Sequence, residues 1–349
     1  MGACMSYDAN LIDAARRGDA RGMRAYLSSG TYVNARDERG ETCAHVASAN
    51  GSLECLYVAL DEYQGNINAE AHDLSTPLML AVMNGRAECA RTLVRRGAET
   101  EKRTKTGETA MTIASERGYE ECVRVLLDTG RGANDANYLG VSAAMVAARN
   151  GHLGCLRALL DRGANANAMA TARDLRGVTA IMLAAANGHL GCVRELLDRA
   201  AFLNAASAEG STAAMIAAMN GRVECLRLLL DRGADANAKN INGANASLLA
   251  AENGHVECVQ LILDRVANAN ARRPVLSAVD SREQSALMFQ AANVAKINAR
   301  ANASSETPVV VSTLALASAD VRANANANAN ANANAPAPAP APTFVFPTI

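Results

Sequence analysis

The sequence predicts an all-α repeat solenoid with eight clear units and a degenerate ninth, and two observations carry that prediction. A glycine recurs at Gly18, Gly51, Gly85, Gly118, Gly151, Gly188, Gly221 and Gly254, in steps of 33, 34, 33, 33, 37, 33 and 33 residues. Four residues after each glycine from Gly51 onward stands a cysteine: Cys55, Cys89, Cys122, Cys155, Cys192, Cys225 and Cys258. Such a period describes a stack of like supersecondary units, each touching only its neighbours, rather than one globular core.

The seventh unit shows how each is built. Thr212 is a candidate N-cap, because its hydroxyl can accept free N–H groups of the first turn. The short first helix then ends at Asn220-Gly221, glycine tolerating the left-handed conformation that closes a helix. A second helix follows over Val223–Arg232, its apolar residues at i, i+3 and i+4, and Gly233 stops it. Ala234–Ala238 leads into Asn240-Ile241-Asn242-Gly243, a turn signal that closes an extended, hairpin-like connection. Helices this short are marginal alone, so each unit depends on its neighbours for cover.

These residues carry a family resemblance. Thr76-Pro77-Leu78-Met79-Leu80-Ala81 resembles the T-P-L-H-x-A signature of the ankyrin repeat, and Thr42-Cys43-Ala44-His45-Val46-Ala47 keeps its histidine. Gly151-His152-Leu153-Gly154-Cys155-Leu156-Arg157-Ala158-Leu159-Leu160 is similar to the family's second-helix segment, with cysteine in a valine slot. Gly233–Ala238 resembles its closing strand-like stretch. The resemblance covers residues 9–271 and implies paired antiparallel helices with hairpin-like loops.

Departures are local. Leu74 replaces the hairpin glycine found at Gly40, Gly107, Gly140, Gly177, Gly210 and Gly243, so that turn is expected to differ. The second unit has one extra residue around Tyr63-Gln64-Gly65, and four extra residues within Met169–Arg173 lengthen the connection into the sixth; both are expected in loops. Asn10–Gly18 reads as a capping first unit. Ser285–Asn293 echoes a first helix, so residues 272–300 read as a degenerate closing repeat. Residues 301–349, in which Ala323–Ala335 alternates Ala with Asn and Ala335–Pro342 alternates Ala with Pro before Thr343–Ile349, are expected to be a disordered tail with a polyproline II spacer.

Composition excludes several function classes. Net charge is −1, aromatic residues are 3% and Trp is absent, which argues against nucleic-acid binding. No run of 18 apolar residues exists, so no transmembrane helix is expected, and Asp8, Asp13, Arg16 and Arg17 interrupt any signal-peptide stretch. The cysteine ladder argues against both disulfides and zinc. Stacked helices lie about 8–10 Å apart, too far for a bridge, and no C-x₂₋₄-C pair exists. Buried reduced thiols point to the cytoplasm.

No catalytic motif, cofactor loop or metal motif is found, so no enzyme and no cofactor is expected. His152, His189 and His255 share one slot after a helix-ending glycine, where the resemblance implies a bond to turn backbone. Arg124 with Asp128, Arg157 with Asp161, Arg194 with Asp198 and Arg227 with Asp231 read as i, i+4 pairs on a solvated face.

The resemblance implies a concave recognition face made from hairpin tips and the ends of first helices, roughly 80 Å long if units step by about 10 Å. The tip candidates are Glu38, Arg39, Lys105, Tyr138, Leu139, Leu175, Arg176 and Ile241; the helix-end candidates are Met83, Arg149 and Met219. Tyr138, Leu139 and Leu175 are apolar where exposure is expected, as at an interface centre. Met1-Gly2-Ala3-Cys4-Met5-Ser6 fits the N-myristoylation pattern, with Gly2 as acceptor and Cys4 as a second acylation position. The expected function is a monomeric scaffold or adaptor for a protein partner. The alternative is an acylated, membrane-tethered regulatory protein.

Overall fold

The structure is a computed structural model that describes residues 2–272, with side chains for 9–267, and residues 286, 288, 289, 292 and 293. The chain divides into two units, Met1–Ile297 and Asn298–Ile349, and all described residues belong to the first. Of the proposed closing repeat only those last five residues and Arg272 are described, all helical; the rest of 272–300 and the whole of 301–349 lie outside the described residues.

Helices come in pairs, as the period predicts. They are α1 (Gly2–Arg17) and α2 (Ala20–Ser28), α3 (Cys43–Asn50) and α4 (Leu53–Tyr57), α5 (Pro77–Met83) and α6 (Ala87–Arg95), and α7 (Ala110–Arg117) and α8 (Glu120–Leu127). The array continues with α9 (Ala143–Asn150) and α10 (Leu153–Asp161), α11 (Ala180–Asn187) and α12 (Leu190–Asp198), α13 (Ala213–Met219) and α14 (Val223–Asp231), and α15 (Ala246–Glu252) and α16 (Val256–Arg272). Each first helix packs on its own partner and on the first helices before and after it, and second helices form a parallel layer. The hairpin-like connections hold only isolated bridges, Ala136 with Ser142 and Ala206 with Thr212.

The cap read at Thr212 forms, and three other first helices repeat it. Thr76, Thr109, Ser142 and Thr212 accept the N–H three residues on, at 3.3, 3.3, 3.3 and 3.4 Å. In three units the reciprocal bond, to the N–H of the cap residue itself, is made by the residue in the signature histidine slot. His45 Nδ1 accepts from Thr42 at 3.1 Å, Thr112 Oγ1 from Thr109 at 2.9 Å and Met145 Sδ from Ser142 at 3.4 Å. His45 Nε2 also donates to the Ser75 carbonyl at 3.1 Å, so the ring bridges two units. Burial depresses its pKa, and this arrangement needs the neutral ring.

The cysteine column lies between the helix layers. Cys43, Cys55, Cys89, Cys122, Cys155, Cys192, Cys225 and Cys258 are all buried and unbridged. Burial pushes the thiols of Cys43 and Cys155 up to about 12, and those of Cys89, Cys122, Cys192, Cys225 and Cys258 up to about 11. They act as small apolar side chains.

Three polar contacts recur between neighbouring units. In the first, an asparagine after a second helix accepts a loop N–H of the next unit, at five joints. The pairs are Asn34–Asn66 at 2.7 Å, Asn68–Glu99 at 2.9 Å, Asn134–Asn165 at 2.7 Å, Asn167–Phe202 at 2.6 Å and Asn204–Asp235 at 3.1 Å. In the second, an aspartate ending one second helix meets an arginine ending the next. Asp61–Arg96 is at 2.6 Å, Asp128–Arg162 and Asp198–Arg232 at 2.9 Å, and Asp161–Arg199 and Asp231–Arg265 continue the series. In the third, the residue that starts a second helix reaches back to a carbonyl near the end of the preceding first helix. His152 and His189 reach Glu116 and Arg149 at 3.0 Å, Arg86 and Arg222 reach Ala49 and Ala186 at 3.2 and 3.1 Å, and His255 reaches Met219.

Three sequence expectations are corrected. The i, i+4 pairs are not the pairs that form: Arg124 binds Glu120, one turn earlier, and Asp128, Asp161, Asp198 and Asp231 all bind across units. An aspartate at a helix end points past its own helix, toward the next in the stack. The extra residue of the second unit is not in a loop. It is absorbed as a π-helical turn, Val58–Glu62, with the Tyr63 N–H bonded to the Val58 carbonyl at 3.3 Å. That turn brings the Glu62 carboxylate to accept two hydrogen bonds from the Arg24 guanidinium, and Tyr63 to Ser28 of the first unit. Finally, the Leu74 turn does not differ. Leu74 adopts φ +66°, and Leu74 N–H bonds the Ala71 carbonyl at 3.0 Å, as Gly40 bonds Asp37 at 2.9 Å. The stack imposes the turn, and leucine takes a left-handed conformation that costs a side chain about 1–2 kcal/mol.

Candidate functional site: the hairpin tips and first-helix ends

The tips are held by side chains within the loop. Asp37 Oδ1 accepts from Arg39 and Glu41, Asn137 Oδ1 from Leu139 and Val141, and Asn240 Oδ1 from Asn242 and Ala244, at 2.9–3.1 Å. With their backbone so fixed, successive tips bond one another. His72 N–H reaches Arg39 O, Lys105 reaches Asp73, Ala208 reaches Arg176 and Ile241 reaches Glu209, at 2.9–3.0 Å. The two residues at each tip are therefore left pointing outward from a rigid frame. Glu38, Arg39, Lys105, Arg176 and Ile241 are all exposed.

Tyr138 and Leu139 are 66% and 46% exposed. The Tyr138 ring lies against Gly107 of the preceding tip, under the Arg103 guanidinium, 5.7 Å from the ring centre. A Cβ on Gly107 would stand 2.3 Å from that ring, and its φ of +82° independently favours glycine.

Leu175 is not the third member of this cluster. At the end of the insertion the chain makes a short 3₁₀ turn, Arg173–Leu175, in which Leu175 is half-buried. Thr171 and Ala172 take the place next to Leu139, donating to its carbonyl at 3.1 and 3.0 Å. Arg176 then resumes the tip ladder. Where the insertion leaves and rejoins the stack, an open cleft of about 380 Å³ lies among Met169, Thr171, Arg176, Ser207 and Ala208. Met169 is 48% exposed on its edge and was not anticipated as a site residue; the insertion itself was the only signal for it.

Met83, Arg149 and Met219 are half-buried at equivalent first-helix ends. Arg149 faces Glu116 of the preceding unit at 3.5 Å. Glu108, also half-buried beside Glu116, has its pKa raised by burial and by that neighbouring carboxylate. The series Ala49, Met83, Glu116, Arg149, Ala186, Met219 thus presents one charged pair flanked by apolar side chains. Side chains of residues 1–8, including Gly2 and Cys4, lie outside the described ones; the backbone of both falls in α1.

Among the described residues no helix is long and apolar enough to cross a membrane, and no His, Cys, Asp and Glu group converges as a metal site. Curated relatives match short stretches. A probable E3 ubiquitin-protein ligase XBOS31 of Oryza sativa subsp. japonica is 35% identical over 91 residues, 26% of this chain and 20% of the relative. BCL-6 corepressor-like protein 1 of Homo sapiens is 37% identical over 83 residues, 24% and 5%. Protein phosphatase 1 regulatory subunit 12A of Mus musculus is 34% identical over 110 residues, 30% and 11%. The chain therefore spans a fifth or less of the length of these relatives. The family description "Ankyrin repeats (3 copies)" matches residues 11–104, 96–170 and 169–240, and "Ankyrin repeat" matches 242–274. With its helix pairs, caps and tip ladder, the chain belongs to the ankyrin-repeat family.

Proposed function

We propose that this protein is a protein-binding scaffold or adaptor, and that residues 9–271 engage one partner protein through the hairpin tips and first-helix ends. The observation that carries this reading is the exposed Tyr138–Leu139 pair, next in the stack to the cleft between the sixth and seventh units. Large apolar side chains are held outward there by a rigid frame, with Arg103 and Arg176 at the rim. A rigid aromatic, an apolar neighbour and an arginine are the residue types that dominate interface energy. The regulatory subunit and the corepressor among the relatives accord with a non-catalytic role. Replacing Tyr138, Leu139 and Met169 by Ser tests it: helicity is retained and partner capture in cells drops by an order of magnitude. Full capture by the triple variant would move the interface elsewhere.

The acylated, membrane-tethered alternative rests on the motif Met1–Ser6. Intact mass of the chain co-expressed with an N-myristoyltransferase tests it, a mass equal to that of the same chain made without the transferase ruling it out.

A further inference from the structure

The three contacts that join neighbouring units fail together at one place. Between the third and fourth units, α5–α6 and α7–α8, none of them forms among the described residues. Glu101 stands where the asparagines stand, and pairs instead with Arg131 at 3.4 Å, both side chains being exposed. Arg95 and Thr129 occupy the aspartate and arginine positions and cannot pair as ions. Tyr119 occupies the His/Arg slot, where its ring packs over Gly85 and makes no bond to the Met83 carbonyl. What remains is the Lys105–Asp73 tip bond at 2.9 Å, the Lys102–Glu70 ion pair at 2.5 Å between the same two connections, an Arg91–Glu121 ion pair at 2.5 Å and the apolar packing. Exposed ion pairs contribute little. The joints on either side carry all three contacts: Asn68–Glu99, Asp61–Arg96 and Arg86–Ala49 before it, Asn134–Asn165, Asp128–Arg162 and His152–Glu116 after it.

We propose that this joint is a hinge dividing the array into a block of three units and a block of five, which open against each other while each stays folded. In a stack where each unit touches only its neighbours, stability is a sum of unit and interface terms, so opening occurs at the weakest interface. The joint falls between Met83 and Glu116 on the first-helix face. Opening there changes the spacing of outward-facing residues on its two sides, while the Tyr138–Leu139 cluster and the cleft stay within the second block.

Amide hydrogen exchange on the full chain tests this. The Lys105 amide crosses the proposed hinge, and the Ala208 amide makes the same tip bond between the sixth and seventh units. Lys105 is expected to exchange at least about tenfold faster than Ala208 after correction for intrinsic rates, the effect of losing a few hydrogen bonds from one opening. A variant restoring the contacts, Arg95→Asp with Thr129→Arg, Glu101→Asn and Tyr119→His, is expected to slow Lys105 about tenfold and leave Ala208 unchanged. Equal protection of the two amides in the natural protein overturns the proposal, as does a folded variant whose Lys105 exchange is unaltered. Should the variant fail to fold, the comparison within the natural protein decides.

Discussion

The side-chain carbonyl of Asn167 accepts the backbone N–H of Phe202 at 2.6 Å, while its amide donates to the Ala200 carbonyl at 3.3 Å. One side chain thus satisfies two backbone groups of the next unit, in a loop that has no sheet partner to do so. Asn167→Ala is expected to lower stability by about 1–2 kcal/mol, since two backbone groups lose their partner. The urea midpoint reports this, and an unshifted midpoint would show that water replaces the asparagine at no cost.

Leu74 holds φ +66° where the other hairpins place glycine. Leu74→Gly removes a left-handed penalty of about 1–2 kcal/mol and returns part of it as unfolded-chain entropy, for a net gain of up to about 1 kcal/mol. Gly107→Ala, by contrast, adds that penalty and drives a Cβ into the Tyr138 ring, so it is expected to destabilise by more than Leu74→Gly stabilises. Thermal melting of the two variants compares them directly, and a loss of stability in Leu74→Gly would mean that the leucine side chain contributes packing that outweighs its strain.

Ser115 is fully buried in α7 with its hydroxyl unpartnered, whereas Ala148, Ala185, Ala218 and Ala251 occupy the equivalent positions. Ser115→Ala removes a buried unsatisfied hydroxyl and is expected to stabilise by about 1 kcal/mol. A destabilised variant would reveal a bond made by that hydroxyl in solution.

Stability should fall as pH drops below the ordinary histidine range. Burial holds the folded pKa of His45 below its unfolded value, so the unfolded state takes up a proton first. The contribution is whole above the unfolded pKa, about 6.5, and is lost as pH falls toward the folded one. His189 and His255 act in the same direction. Glu41, Glu108 and Asp135, with raised pKa values, act oppositely, and lose their contribution as pH rises through those values. His45→Gln isolates the first effect: the drop in stability between about pH 7.5 and 5.5 should shrink by up to about 1.4 kcal/mol per pH unit. A drop of the same size in the variant would assign the pH dependence to other groups.

The period made the fold legible, because a spacing that recurs seven times needs no tertiary information to be read. The cap at Thr212 and the buried cysteine column followed from local pattern alone. What lay beyond the sequence depended on direction in space. Asp128 could be paired with Arg124 on paper, but the helix end aims it at Arg162 of the next unit. The extra residue of the second unit could be counted but not placed, since a π-helical turn and a longer loop differ in packing rather than in composition. Leu175 illustrates the same limit within the candidate site: the insertion before it leaves it half-buried and puts Thr171 beside Leu139. Met169 emerged only once that insertion had a shape.

The most direct measurement is site-specific photocrosslinking in cells, with a photoreactive phenylalanine analogue placed in turn at Tyr138, at Met219 and at Arg194 on the second helix α12. A partner protein is expected to crosslink from Tyr138 and Met219 and not from Arg194. Crosslinking from Arg194 alone would place the interface on the second helices and contradict the account.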